Sequence, residues 1–329
     1  MSEERLAVGV IGVGSLGFHH TRLLAAMDGV ELIGIHDIRA DRLAEVADQL
    51  SVPSVSRLDD LLARVKACVV AVPTEAHEPV ARAALDRGVS VLIEKPIAPT
   101  LAAADRILSS ASASGALLQI GHVERFNGAL RACEAFIDEP LYVETHRLAP
   151  FGPRGTDVAV VLDLMIHDLD LVLSLMKRDV TSVAAVGVPV LTPSPDIANA
   201  RLEFEGGGVA NLTASRVSLE RMRKIRFFQR SGYISLDLAA GTGAYLRVKQ
   251  GLIEPGQPLH ATRLEDIVER VALHGDGKEP LRAELERFVS SVRGETPVAV
   301  TGEEGRRALA VALEIVNRIE ANVADRSLA

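Results

Sequence analysis

Gly12, Gly14 and Gly17 stand in the pattern Gly-x-Gly-x-x-Gly, after an apolar run at 6–11 and before a stretch with helical spacing. In that setting the first glycine permits a tight turn and the second lets backbone approach a pyrophosphate. The third allows close packing of helix on strand. The helix start at Ser15 and Leu16 offers backbone N–H groups and the positive end of a dipole to phosphate oxygens. Asp37 ends the next apolar run, twenty residues after Gly17. A carboxylate there accepts from ribose hydroxyls and repels a 2′-phosphate, which selects NAD. Arg39 and Arg42 follow closely; either could take a 2′-phosphate, which leaves NADP as the second choice, or both are solvated charges of a helix start.

Two further segments stand at strand ends, where an open α/β sheet binds its ligands. They are Val72-Pro73-Thr74-Glu75-Ala76-His77 and Ile93-Glu94-Lys95-Pro96. A lysine directly after a buried strand can have a lowered pKa and serve in proton transfer, or donate to a substrate oxygen. An ordinary surface lysine at a strand end is the plain alternative. Farther along, Asp163, His167 and Asp170 are spaced i, i+4, i+7 amid apolar residues, which puts all three on one helical face. A histidine between carboxylates can act as a general base near neutral pH. A structural, hydrogen-bonded histidine fits the same pattern. A metal site is a weaker fit, because no His/Cys cluster completes the ligand set.

These groups need elements to hold them. Apolar runs at 6–11, 30–35, 67–72, 89–93 and 117–120 read as strands buried on both faces. Between them, 16–27, 39–50, 76–86 and 101–114 have helical spacing, and Gly115 closes the last. Alternation of this kind implies a doubly wound parallel sheet, a Rossmann domain, over 1–121. The pattern then changes. A helix over 128–137, an extended run at 141–148, a Gly/Pro loop over 149–155 and a helix over 157–176 precede strands at 180–188, 198–204, 209–214, 224–229, 233–238 and 244–248. Gly206-Gly207-Gly208 and Ser231-Gly232 read as hairpin turns. The expectation for 122–329 is an α+β domain with a mostly antiparallel sheet, ended by helices at 280–292 and 303–321.

The chain has 329 residues, 48% hydrophobic and 24% charged, which suits two folded domains. A formal net charge of -8 argues against a nucleic-acid partner, whose footprint is excess Lys and Arg. Aromatics are only 3% and Trp is absent, so the cores must be aliphatic. Two isolated cysteines, Cys68 and Cys133, form no disulfide framework, and the acidic start lacks the features of a signal peptide. No apolar stretch is long enough to span a bilayer. A cytoplasmic protein is expected, joined into a homo-oligomer through the exposed face of its second sheet.

Taken in order, Gly12-x-Gly14-x-x-Gly17, Pro73-Thr74-x-x-His77, Glu94-Lys95-Pro96, Arg125-Phe126-Asn127 and Asp163-x-x-x-His167 resemble the Gfo/Idh/MocA oxidoreductase family over nearly the whole chain. The resemblance implies hydride transfer between a sugar or polyol carbon and nicotinamide C4. Its catalytic lysine falls on Lys95 and its Asp/His pair on Asp163 and His167. Cofactor contacts fall on Gly12, Gly14, Ser15, Leu16, Gly17, Asp37, Pro73, Thr74, His77, Glu94 and Lys95. The segments 121–127, 146–151 and 154–157, leading into 160–168, are similar to a subgroup that oxidises the 3-OH of UDP-N-acetylglucosamine. That likeness implies substrate contacts at Lys95, His122, Arg125, Asn127, Arg147, Arg154, Asp163 and His167. Arg147, Arg154, Arg216, Arg221, Arg223 and Lys224 could serve a diphosphate, since arginine binds phosphate in bidentate fashion; a solvated sheet edge is the plain alternative. Rival readings are a free-polyol dehydrogenase, a biliverdin-reductase-like enzyme and a non-catalytic sugar sensor on the same fold.

Overall fold

The computed structural model describes residues 4–152, 158–249 and 263–327. The chain divides into two compact units, 1–123 with 279–310, and 124–278 with 311–329.

The first unit is built on five parallel strands: β1 (Leu6–Ile11), β2 (Val30–His36), β3 (Ala67–Val70), β4 (Ser90–Glu94) and β5 (Leu118–Gly121). Their order is β2-β1-β3-β4-β5. Strands β3, β4 and β5 are buried at every residue, as the apolar runs required. Helices α1 (Ser15–Ala25), α2 (Ala40–Leu50), α3 (Leu58–Leu62), α4 (His77–Leu85) and α5 (Leu101–Ser114) make the crossovers. Thr100 caps α5 by accepting from the Ala103 N–H at 3.2 Å, and Gly115 ends it with φ 72°. The short α3 falls outside the predicted elements: five residues carry too little periodicity to be read.

The second unit carries the second sheet, within its described residues 124–152, 158–249 and 263–278. Helix α6 (Gly128–Cys133) opens it, and the predicted helix over 128–137 ends there in a 3-10 turn at Glu134–Phe136. Eight strands follow: β6 (Tyr142–Leu148), β7 (Val180–Val188), β8 (Ile197–Phe204), β9 (Val209–Ser215), β10 (Met222–Gln229), β11 (Gly232–Asp237), β12 (Thr242–Val248) and β13 (Val268–His274). Their order is β13-β12-β11-β10-β6-β9-β8-β7. All neighbours are antiparallel except β6 and β9. Strict alternation puts Val143, Thr145 and Arg147 of β6 on the buried face. A π turn at Val161–Met165 runs into α7 (Ile166–Met176), which packs on β6 and β9. Strand β13, preceded by the four-residue α8 (Leu264–Ile267), escapes sequence reading because only Leu273 of its seven residues is buried.

The single cut expected after residue 121 differs from this division. Helix α9 (Pro280–Val292) and the first turns of α10 (Gly302–Ser327) return to the first unit. Leu285, Phe288 and Val289 of α9 lie in one apolar cluster with Val8, Val10 and Leu92. Gly302 and Gly305 sit so close to Leu118 and Ile120 that a Cβ would approach them within 2.8 Å. Thr301 and Glu304 cap α10 reciprocally, at 2.8 and 3.2 Å. An amphipathic stripe says that a helix is buried, and leaves open against which sheet.

Candidate active site

The glycine-rich turn links β1 to α1. Gly12 has φ 83°, and a Cβ there would stand 2.7 Å from the Ala71 carbonyl oxygen. At Gly17 a Cβ would fall 1.8 Å from the Gly12 oxygen, so helix and turn meet only without a side chain. Gly14 is different. A Cβ there would meet nothing within 4 Å, leaving open space over the turn. The N-cap of α1 is Gly14, which has no side chain to cap the helix, as suits a helix end that receives phosphate. Asp37 accepts from the Val13 N–H and the Arg39 N–H, both at 2.9 Å, so its carboxylate is fixed beside the turn. Arg42 donates to the Val13 carbonyl at 2.9 Å and pairs with Glu45, while Arg39 lies 3.6 Å from Asp37. Both arginines are thus engaged by the loop itself. Leu16 is 49% and Ile38 94% exposed, which leaves apolar surface at the turns after β1 and β2. These residues fit NAD: open backbone for a pyrophosphate, a fixed carboxylate for a ribose and apolar surface around them.

At the end of β4, Lys95 is half-buried and joined to Pro96 by a cis peptide bond. The flanking residues are held on both sides. Glu94 accepts from His20 Nε2 of α1 at 2.7 Å, with His20 fully buried. Burial raises the Glu94 carboxyl, but His20 and the charges of Lys95 and His77 hold it below its usual value. His77, expected from the sequence at the cofactor, is occupied by two loop carbonyls. It is 1% exposed, and its ring nitrogens lie 2.9 Å from the Pro96 oxygen and 3.0 Å from the Val72 oxygen. Burial lowers its pKa while the carbonyls pull the other way, and a neutral ring can donate to only one of them. Its place is therefore to join the loop at Val72 to the loop after Lys95. Pro73 is exposed, and Thr74, half-buried, opens the 3-10 turn that leads into α4.

In the second unit, Asp163 lies within the π turn and His167 in the first turn of α7, both half-buried. A π turn bonds i to i+5, so a four-residue step keeps the two side chains adjacent along the helix. Asp170 does not complete the triplet read from the sequence. It is buried and takes both arms of Arg125, at 2.6 and 2.8 Å. Arg147 is also corrected: at 4% exposure it faces the interior, not a diphosphate. It donates to Asp168 at 2.7 and 3.1 Å and to Glu124 at 2.9 Å. Burial opposes its charge, yet the two carboxylates hold its pKa well above the usual arginine range. Burial also pushes the Asp168 carboxyl up against the pull of Arg147. Arg216, 4% exposed, is spent on Asp196 at 2.9 Å and on the Val158 and Pro195 oxygens.

Asn127 caps α6 and donates to Glu124 and to the Leu238 oxygen, which gives it a structural place. His122 is 1% exposed and belongs to the first unit. Arg221, Arg223 and Lys224 are exposed, Arg223 lying 3.6 Å from Glu124. The expectation at Arg154 lies outside the described residues. Sequence reasoning missed His20, Glu124 and Asp168. Their signal is burial in the company of an opposite charge, which only the packed chain reveals.

Among the described residues, no group of three or more His, Cys, Asp and Glu stands ready to hold a metal, and no helix is long and apolar enough to cross a membrane. Two family models match, "Oxidoreductase family, NAD-binding Rossmann fold" over residues 6–122 and "GFO/IDH/MocA C-terminal domain" over 126–235. The chain is 39% identical to UDP-N-acetylglucosamine 3-dehydrogenase of Acidithiobacillus ferrooxidans, across 96% of this chain and 98% of that one. A solved structure of that enzyme superposes with a TM-score of 0.87, at 37% identity over 96% and 98% of the two chains. Identity to myo-inositol 2-dehydrogenase of Thermotoga maritima is 26%, over 92% and 93%.

Proposed function

Because the chain belongs to the Gfo/Idh/MocA family of NAD-binding oxidoreductases, we propose that it oxidises the 3-OH of a UDP-N-acetylhexosamine. The observation that carries this reading is the end-to-end likeness, at 39% identity, to a UDP-N-acetylglucosamine 3-dehydrogenase. The more distant likeness to a myo-inositol enzyme makes a free polyol the second reading. NAD, when bound, supplies a hydride acceptor at nicotinamide C4. The turn at Gly12, Gly14 and Gly17 would hold its pyrophosphate, Asp37 a ribose, and Pro73 and Thr74 the approach to the ring. Lys95 holds the substrate oxygen and supplies positive charge. His167, oriented by Asp163, takes the hydroxyl proton as the alcohol carbon is oxidised. Of the basic residues first considered for the diphosphate, Arg221 and Arg223 keep exposed guanidinium groups suited to it.

The reading extends to assembly and compartment. The outer face of the second sheet carries Tyr142, Phe228 and Tyr233 in a row, with ring centroids 5.5 and 5.3 Å apart. Beside them Arg226 pairs with Glu144 and Arg201 with Asn211. An aromatic patch rimmed by hydrogen-bonded polar side chains suits a second copy of the chain. Two buried free thiols, both pushed up to about 12 by burial, suit a reducing cytoplasm.

The test is direct. The purified protein is given NAD with UDP-N-acetylglucosamine, then with myo-inositol and plain hexoses, while NADH absorbance is followed. NADH should form with the nucleotide sugar and not with the others; formation with inositol alone would transfer the chain to the polyol reading. Exchange of His167 for Ala should lower turnover by about 100-fold or more while NADH affinity stays within about twofold. Unchanged turnover would remove His167 from the reaction.

A further inference from the structure

Lys95 directly follows the last residue of β4, and that residue is anchored in the interior. Glu94 is the last residue of β4 and its side chain is only 10% exposed. A carboxylate in that position needs a donor, or its burial costs free energy. His20 Nε2 supplies one at 2.7 Å, from a ring that is fully buried on α1. Gly121 of β5 leaves room for the other oxygen, since a Cβ there would stand 3.3 Å from Glu94 Oε2. The hydrogen bond to His20 thus holds one oxygen of the carboxylate. Because α1 starts at the glycine-rich turn, the same hydrogen bond joins the helix at that turn to β4, which ends at Glu94 next to Lys95.

We propose that His20 is a positioning residue for Lys95: its ring N–H holds the Glu94 carboxylate and so fixes the strand end that carries the lysine. The inference rests on the reading of Lys95 as the group that holds the substrate oxygen. Removal of the donor leaves a buried carboxylate without its partner, which reorients or takes up a proton, and either change displaces the charge beside Lys95.

Three variants test it, His20→Phe, His20→Gln and Glu94→Gln. Phenylalanine keeps the ring volume without the donor, glutamine keeps a donor near the Nε2 position, and Glu94→Gln breaks the pair from the other side. The first readout needs no substrate. Each protein is treated at fixed pH with an amine-reactive ester, and acylation of Lys95 is followed by peptide mass spectrometry against the other lysines. Lys95 reactivity should change by about threefold or more in His20→Phe and Glu94→Gln, and return to within about 1.5-fold of the parent in His20→Gln. The second readout is turnover. His20→Phe should lower kcat by about tenfold or more with the alcohol KM within about threefold, and His20→Gln should recover most of it. Equal behaviour of the two His20 variants, or unchanged Lys95 reactivity in both His20→Phe and Glu94→Gln, would overturn the proposal. If His20→Phe does not fold, Glu94→Gln against His20→Gln carries the comparison alone. A parent protein that oxidises no alcohol would defeat the dehydrogenase reading and leave the labelling result to decide on His20.

Discussion

At the scale of single residues, the glycine-rich turn separates folding from binding. Gly12 and Gly17 are required by the chain itself, one for its positive φ and the other for its contact with the Gly12 oxygen. Gly14, with φ −62° and open space at its Cβ position, is not. Gly14→Ala should leave thermal unfolding within about 0.5 kcal/mol of the parent but weaken NADH binding about tenfold or more, because the added methyl enters the pyrophosphate's approach. Gly17→Ala should lose about 1–3 kcal/mol or more of stability along with binding. Paired calorimetry and NADH fluorescence titration distinguish the two; equal stability losses would refute the distinction. The sequence pattern treats the three glycines alike, and only the neighbouring backbone tells them apart.

At the scale of elements, a buried charge network seats the helix that carries His167. Arg147 of β6 reaches Asp168, the residue after His167, and also Glu124. Arg125 clasps Asp170 two residues farther on. Arg147→Ala strands two buried carboxylates and should cost about 3–5 kcal/mol near neutral pH. The pH dependence has a definite sign. Burial raises the Asp168 carboxyl, so this group favours folding fully below its unfolded value of 3.8, and that contribution is lost as pH rises through the folded value. Without Arg147 the folded value rises further, so the deficit of the variant should be largest above neutrality and shrink towards pH 4. Urea unfolding at pH 4, 6 and 8 measures it, and a deficit that grows towards acid would contradict the account. The two arginines were visible as charges in the sequence. Their inward direction was fixed by strand alternation at Arg147 and by the carboxylate of Asp170 at Arg125.

For the molecule as a whole, the outer face of the second sheet is the surface we propose a second copy of the chain covers. Phe228 lies between Tyr142 and Tyr233 on that face, away from the core, so its replacement tests association without emptying the interior. If the chain self-associates through this face as proposed, light scattering at micromolar concentration should show an oligomer for the parent and a monomer for Phe228→Glu, with the far-UV spectrum retained. An unchanged mass would place the contact elsewhere.

The sequence by itself determined the parallel sheet, the dinucleotide turn and the antiparallel character of the second sheet. Each follows from local periodicity or from close spacing along the chain, which the residue order carries in full. Tertiary structure decided what long-range packing alone can decide. It returned Leu285, Phe288 and Val289 to the first core, added the weakly patterned β13 to the sheet edge, and turned Arg147 and Arg216 inward onto carboxylates. It also brought His20 to Glu94 across 74 positions of sequence. A charge or a histidine looks the same in a sequence whether it meets solvent, substrate or a buried partner. The free energy of burying it, and so its role, depends on which groups the fold sets beside it.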